Sequence, residues 1–143
     1  MSAGSTRQLV VFSLGEEEYA LPIAQVHEII RYTEPRSVAS ASAWVRGVIN
    51  LRGKIVPVYD LAARLGLASL ESKDSNIVIV ESGGNIAGVV VDDVDQVLTV
   101  TDEQLEGVPS SGSDSIEAIA KLDERLIVLL DPAGIFGGLA ATA

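Results

Sequence analysis

The sequence predicts a mainly all-β protein, a set of small barrels or a sandwich, with a few short helices. Three observations point there. Short runs of β-branched and other apolar residues recur along the whole chain, turn residues interrupt them roughly every ten positions, and the second half of the chain repeats the pattern of the first.

Taken in order, Leu9-Val-Val-Phe-Ser-Leu14, the turn Gly15-Glu-Glu-Glu18 and Tyr19-Ala-Leu-Pro-Ile23 read as a hairpin. Pro22 has no N–H to give a ladder, so its strand is expected at an edge or a bulge there. Trp44-Val-Arg46 ends a turn ahead of a second hairpin, Val48–Leu51 and Lys54–Tyr59, joined tightly at Arg52-Gly53. Asp60 stands where a helix N-cap belongs and Gly66 where such a helix would stop. Asn76–Val80 and Ile86–Val91 form a third hairpin around Ser82-Gly-Gly-Asn85. Thr101-Asp-Glu-Gln104 has the spacing of a capping box. Pro109–Ser115 has the composition of a flexible loop. Leu126–Leu130 reads as a fully buried strand. It leads into a C-terminal helix with Asp131 as N-cap, Pro132 at the first helical position and Gly137 as terminator.

The repeat is visible when the chain is shifted on itself. At a shift of 71 residues, Val45–Leu51 lies over Ile116–Leu122 and Lys54–Asp60 over Arg125–Asp131, with Ala62 on Ala133 and Gly66 on Gly137. At 67 to 68, Tyr19–Ile23 lies over Ile86–Val90 and Val26–Ile30 over Val94–Leu98. Matching Asp caps and Gly stops favour duplication over mere likeness of composition. Two barrels of ~70 residues would each be marginal alone, so they are expected to share a core. The division is placed at 8–72 and 73–140 within one unit of residues 8–140, with strand exchange between the halves. Such a pair leaves a groove suited to a peptide or helix.

Composition narrows the function. The 143 residues carry 20 Asp+Glu against 10 Lys+Arg, a net charge of −10. That disfavours nucleic acid and anionic membrane surfaces, both of which need a basic face. No cysteine is present, which removes disulfides, thiolate catalysis and zinc–thiolate sites. The apolar runs fall far short of the ~18 residues of a membrane span, and the N-terminal residues lack the apolar core of a signal peptide. A soluble, cytoplasmic protein is expected.

Catalytic chemistry finds little to work with. His27 is the only histidine, and its setting in Val26-His-Glu-Ile-Ile30 suits a solvated side chain better than a triad member. Asp92, Asp93 and Asp95 cluster after Val89–Val91, but no calcium-loop pattern surrounds them, so strand-end capping is the simpler role. Phosphate loops and the Gly-x-Ser-x-Gly elbow are absent. No catalytic residue, metal, cofactor or small-molecule substrate is assigned. A small acidic hydrolase stays as the enzyme alternative and would require a pKa-shifted carboxylate pair in a pocket. A binding module is the leading class. Its most pointed feature is Arg52 at a hairpin tip, a rigid multi-donor fork that either recognises a partner or folds back onto a carboxylate, for which Glu28 is a candidate.

The stretch Gly47-Val-Ile-Asn-Leu-Arg-Gly-Lys-Ile-Val-Pro-Val-Tyr-Asp-Leu61 closely resembles the signature of the CheW family of chemotaxis coupling proteins. Phe12–Tyr19, Val26-x-Glu-Ile29, Ala87–Val94 with Val97, and Leu126–Asp131 resemble further family segments in order, so the likeness spans residues 8–138. The resemblance implies two intertwined five-stranded SH3-like barrels around a shared core and no catalysis. It implies an adaptor between the regulatory domain of the chemotaxis histidine kinase and the cytoplasmic tip of a methyl-accepting receptor, recruited to receptor arrays at the inner face of the membrane. A related adaptor of a non-flagellar system, serving pili or surface behaviour, is the near alternative. Val26, Glu28, Gly47 and Arg52 match family positions tied to partner binding or its support, and Ile77 and Gly88 sit where the second half joins that face. Ser42, Ala62, Ala118 and Glu124 depart from common family residues.

Overall fold

The computed structural model describes residues 6–37, 44–67, 75–107 and 115–140. Ser42 and nearly all of the serine-rich loop lie outside them. The strands are β1 (Thr6–Leu14), β2 (Glu17–Pro22), β3 (Val26–Arg31), β4 (Val45–Leu51), β5 (Lys54–Asp60), β6 (Asn76–Ser82), β7 (Asn85–Val91), β8 (Val94–Thr101), β9 (Leu105–Glu106), β10 (Ile116–Leu122) and β11 (Arg125–Leu130). Two short α-helices, α1 (Leu61–Arg64) and α2 (Pro132–Ala140), follow β5 and β11.

Local chemistry explains the connections. Gly15 (φ 65°) turns β1 into β2, and Gly83 and Gly84 (φ 60° and 85°) turn β6 into β7, conformations that a side chain resists. Asp60 accepts a hydrogen bond from the Ala63 N–H at 3.1 Å and Asp131 one from the Ala133 N–H at 3.0 Å, so both expected caps form. Gln104 Oε1 accepts from the Thr101 N–H at 2.8 Å, closing a 3₁₀ turn over Asp102–Gln104.

The strands assemble into two mixed sheets. One has six strands in the order β8-β1-β2-β11-β10-β9, the other five in the order β3-β6-β7-β5-β4. Hairpin β1–β2 therefore pairs with strands late in the chain, and hairpin β6–β7 with strands early in it. The repeat persists in the registers. Ile77 of β6 faces Ile30 of β3 as Leu9 of β1 faces Leu98 of β8, and Gly88 faces Val58 across a parallel pair as Ala20 faces Leu129. The bulges repeat too, at Val26/Glu28 in β3 and opposite Val11/Phe12 in β8, and at Val45/Gly47 in β4 and Ile116/Ala118 in β10.

Among the described residues, three apolar clusters form the core. Leu9, Val11, Ala120, Ile127 and Leu129 pack within the six-stranded sheet. Ile49, Val56, Val58, Ile77, Ile79 and Val90 pack within the five-stranded one. Phe12, Leu21, Val78, Val80, Val89, Val91 and Phe136 form a core that both sheets share. Alternate residues of β6 and β7 thus bury on opposite faces, which is why these strands are apolar without interruption.

Three expectations need correction. Leu126, expected to be buried, is 63% exposed, because strand alternation turns it away from the core that takes Ile127 and Leu129. Gly137 does not stop α2, which runs on to Ala140; a glycine weakens a helix without removing its backbone bonds. The strand holding Pro22 lies inside its sheet between β1 and β11, yet its pairing with β11 covers only Glu18–Ala20, so Pro22 itself meets no second ladder.

Candidate functional site

Val26, Glu28, Gly47, Arg52, Ile77 and Gly88 come from both halves of the chain, yet all belong to the five-stranded sheet or its β4–β5 turn. The fold brings them together in two layers.

The outer layer is an ion pair. The bulge at His27 resets β3, so that Val26 faces Val80 while Glu28 already faces Ile79. Glu28 then projects on the same side as Ile30, which packs on the core of this sheet. The β4–β5 turn supplies the partner. Leu51 faces Lys54, and the two residues between them, Arg52 (φ 51°) and Gly53 (φ 88°), both adopt the left-handed region of a tight hairpin turn. Arg52 Nη2 donates to Glu28 Oε2. That hydrogen bond, reinforced by the charges of Arg52 and His27 and opposed by burial, holds the Glu28 carboxyl below its ordinary range. The same pair raises the Arg52 guanidinium further above its already high value. Arg52 remains 68% exposed, so most of its fork is open to a partner. Exposed Ile29 on β3 and Ile55 on β5 add apolar surface to the same sheet.

The inner layer is support. Ile77 is fully buried, and a Cβ on Gly88 would stand 2.7 Å from Ile77 Cγ2, so both are packed within the sheet and neither lies on its surface. Gly47 lies at the β4 bulge with φ 144°, and the backbone of Arg36 closes on it, exchanging hydrogen bonds of 2.8 and 3.0 Å with Val48. Val26 is half-buried and packs against the shared core.

The equivalent corner of the six-stranded sheet is built differently. There the repeat places Gln96 after the β8 bulge and Asp123 (φ 54°) in the β10–β11 turn. A glutamine and an aspartate cannot make the ion pair, so the Glu28–Arg52 clasp is not repeated at the second corner, where Arg125 instead approaches Asp95 at 3.9 Å. The sequence alone offers Glu28 as a partner for Arg52, but it does not announce two further contacts. Asn50 Oδ1 accepts from the Gly53 N–H at 2.7 Å, a contact signalled only by an Asn three positions ahead of a turn glycine. Buried Asp60 both caps α1 and takes Arg46 Nη2 at 3.2 Å, while Arg46 Nη1 donates to Tyr32 Oη at 3.2 Å. Nothing local in sequence announces that link.

The acidic cluster disperses into separate tasks. Asp92 Oδ2 accepts from the Gly15 N–H at 2.6 Å, Asp93 donates its N–H to Ser13 Oγ, and Asp95 lies 3.9 Å from Arg125. Among the described residues no grouping of three or more His, Cys, Asp or Glu could hold a metal, and no helix is long and apolar enough to cross a membrane.

A second clasp ties β2 to β11. Arg125 Nε and Nη2 donate to the two oxygens of Glu18 at 3.1 and 2.7 Å, and this bond lowers the Glu18 carboxyl from its ordinary 4.5. Glu18 and Glu28 therefore add stability that is fully present at neutral pH. It is lost as pH falls from about 4.5 through their lowered folded-state values. The melting temperature should drop in that acid window, and a Glu18→Gln/Glu28→Gln variant should show a shallower drop. An unchanged slope in the variant would show that neither carboxylate titrates below its ordinary value.

Comparison with known proteins places the chain in a family and matches its fold. Residues 8–139 match the family model described as CheW-like domain. The chain belongs to the CheW family. The probable chemotaxis protein CheW of Rhizobium etli is 35% identical over 135 residues, covering 91% of this chain and 87% of that protein. The chemotaxis protein CheW of Bacillus subtilis is 35% identical over 129 residues, covering 87% and 83%. The crystal structure of the scaffolding protein TtCheW from Thermoanaerobacter tengcongensis superposes with a TM-score of 0.84 at 37% identity, covering 92% of this chain and 88% of that one. Protein PilI of Pseudomonas aeruginosa is 32% identical over 85 residues, 58% of this chain and 47% of that protein.

Proposed function

We propose that the protein is a non-catalytic chemotaxis adaptor that couples methyl-accepting receptors to the regulatory domain of the chemotaxis histidine kinase. It works in the cytoplasm, at receptor arrays beneath the membrane. The observation that carries this reading is the Glu28–Arg52 clasp, present at one corner of a duplicated fold and replaced by Gln96 and Asp123 at the other. A duplicated scaffold needs two different faces to bridge two different partners, and this substitution makes them different. The open Arg52 fork suits polar groups on a receptor helix. Small sheets bury limited area, so single contacts should be modest in affinity, and an array compensates by multivalency.

Arg52→Ala tests the reading. Binding of a receptor-tip hairpin fragment, followed by calorimetry, should weaken at least tenfold while the melting temperature stays within a few degrees of the parent, since exposed pairs contribute little to folding. Wild-type affinity in the variant would remove this corner from the interface. The likeness to PilI favours a second reading, an adaptor of a pilus-linked chemosensory system. Restoration of surface motility but not of swimming, in a strain lacking its own adaptor, would select it.

A further inference from the structure

We infer that Asn50 is a positioning residue, a side chain that locks the β4–β5 turn and thereby holds Arg52 against Glu28 in the orientation that a partner meets. The inference rests on the reading of this corner as a binding face.

Two described residues other than glycine have positive φ, Arg52 at 51° and Asp123 at 54°. They occupy equivalent turns, β4–β5 and β10–β11. The conformation is the same but its cost is not. A short Asp side chain can hydrogen-bond locally in the left-handed region, whereas Arg gains nothing there and its Cβ crowds the following carbonyl. Backbone strain of this kind persists only where neighbouring groups enforce it.

The enforcing groups differ between the two turns in the matching way. In a two-residue turn the flanking residues Leu51 and Lys54 close the ladder, which leaves the Gly53 N–H without a strand partner. Asn50 Oδ1 takes that N–H at 2.7 Å. The position equivalent to Asn50 in the second turn is Lys121, whose ammonium cannot accept a hydrogen bond and instead meets Glu106 at 2.9 Å. The turn with the costly residue has the lock, and the turn with the tolerant residue lacks it. With two-thirds of its side chain exposed, Arg52 has little packing to aim it, so its direction depends on the turn and on Glu28. Asn50 acts through Gly53 and Arg52 and needs no contact with the partner.

The test compares wild type with Asn50→Ala, Asn50→Asp, Arg52→Ala and Asn50→Ala/Arg52→Ala. The binding probe is the receptor-tip hairpin fragment. Asn50→Ala should weaken binding about threefold to tenfold with little change in melting temperature. Asn50→Asp should restore it, because a carboxylate oxygen accepts the same Gly53 bond. The double variant should bind no worse than Arg52→Ala, since the lock has nothing left to position. A second readout is independent of binding: the Glu28 carboxyl, followed by NMR titration, should rise towards its ordinary value in Asn50→Ala. Wild-type binding and an unmoved Glu28 titration in Asn50→Ala, a failure of Asn50→Asp to restore, or additive losses in the double variant would each overturn the inference. If Arg52→Ala binds like wild type, the reading of the face fails instead, and the Glu28 titration then decides the positioning role alone.

Discussion

Val90→Asp should leave the chain unfolded at room temperature. Val90 is 1% exposed on β7, between Ile77 of β6 and the β5 strand, inside the cluster formed by Ile49, Val56, Val58 and Ile79. Losing the buried valine forfeits about 1.5–3 kcal/mol of burial. Leaving a carboxylate there without a partner adds a desolvation cost of several kcal/mol more, or the cost of holding it protonated. Together these approach the ~5–15 kcal/mol that stabilises a whole domain. The shared core would not save the other sheet, since Val89 and Val91 on either side of the substitution supply part of it. Circular dichroism should show lost strand signal and no cooperative melt. A melting temperature equal to wild type would mean that β7 does not face this core.

Gly47→Ala should be nearly as severe, for a different reason. A Cβ at this position would stand 2.2 Å from the Arg36 carbonyl oxygen and 2.7 Å from its carbon. Both are backbone atoms, so no rotamer change relieves the contact. The residue also sits at φ 144°, where side chains are strained in any case. Overpacking and backbone strain each cost about 1–3 kcal/mol, and here they add. To relieve them the 36–37 segment would lift off β4, breaking the two hydrogen bonds between Arg36 and Val48 and opening the edge of the sheet. Chemical denaturation should show a loss of about 2–6 kcal/mol and hydrogen exchange should show the Arg36 and Val48 amides unprotected. Retained protection at both amides would sink the proposed role of Gly47. Because the lifted segment borders the strand that leads into the Arg52 turn, binding should fall as well, which separates Gly47 from the surface residues only if stability is measured beside affinity.

The residues brought to the candidate face show how far sequence reasoning carries. Arg52 was legible as a turn residue because Leu51 and Lys54 bracket a two-residue connection ending in glycine. Glu28 was legible as its possible partner only by charge. The bulge at His27 that turns Glu28 towards Arg52 depends on pairing with Ile79, far along the chain, and no local pattern encodes it. Ile77 and Gly88 stood out as positions of the face, but their role beneath it needed the packing of a methyl group against an absent Cβ. Asn50 is one letter of a motif in the sequence, and only the fold reveals its hydrogen bond to Gly53.

By itself the sequence determined the hairpins and the two Asp-capped helices, because each is written within a few residues: a positive-φ turn, a side-chain cap, a β-branched run; the repeat and the family likeness are legible as well, as matches of such local segments in order along the chain. Only the tertiary structure decided which hairpin joins which sheet. The exchange that places β1–β2 among late strands and β6–β7 among early ones is set by burying alternate faces of those strands in two cores at once. That requirement is met between residues far apart in the chain, where local signals are silent and a one-residue slip would turn every apolar side chain outwards.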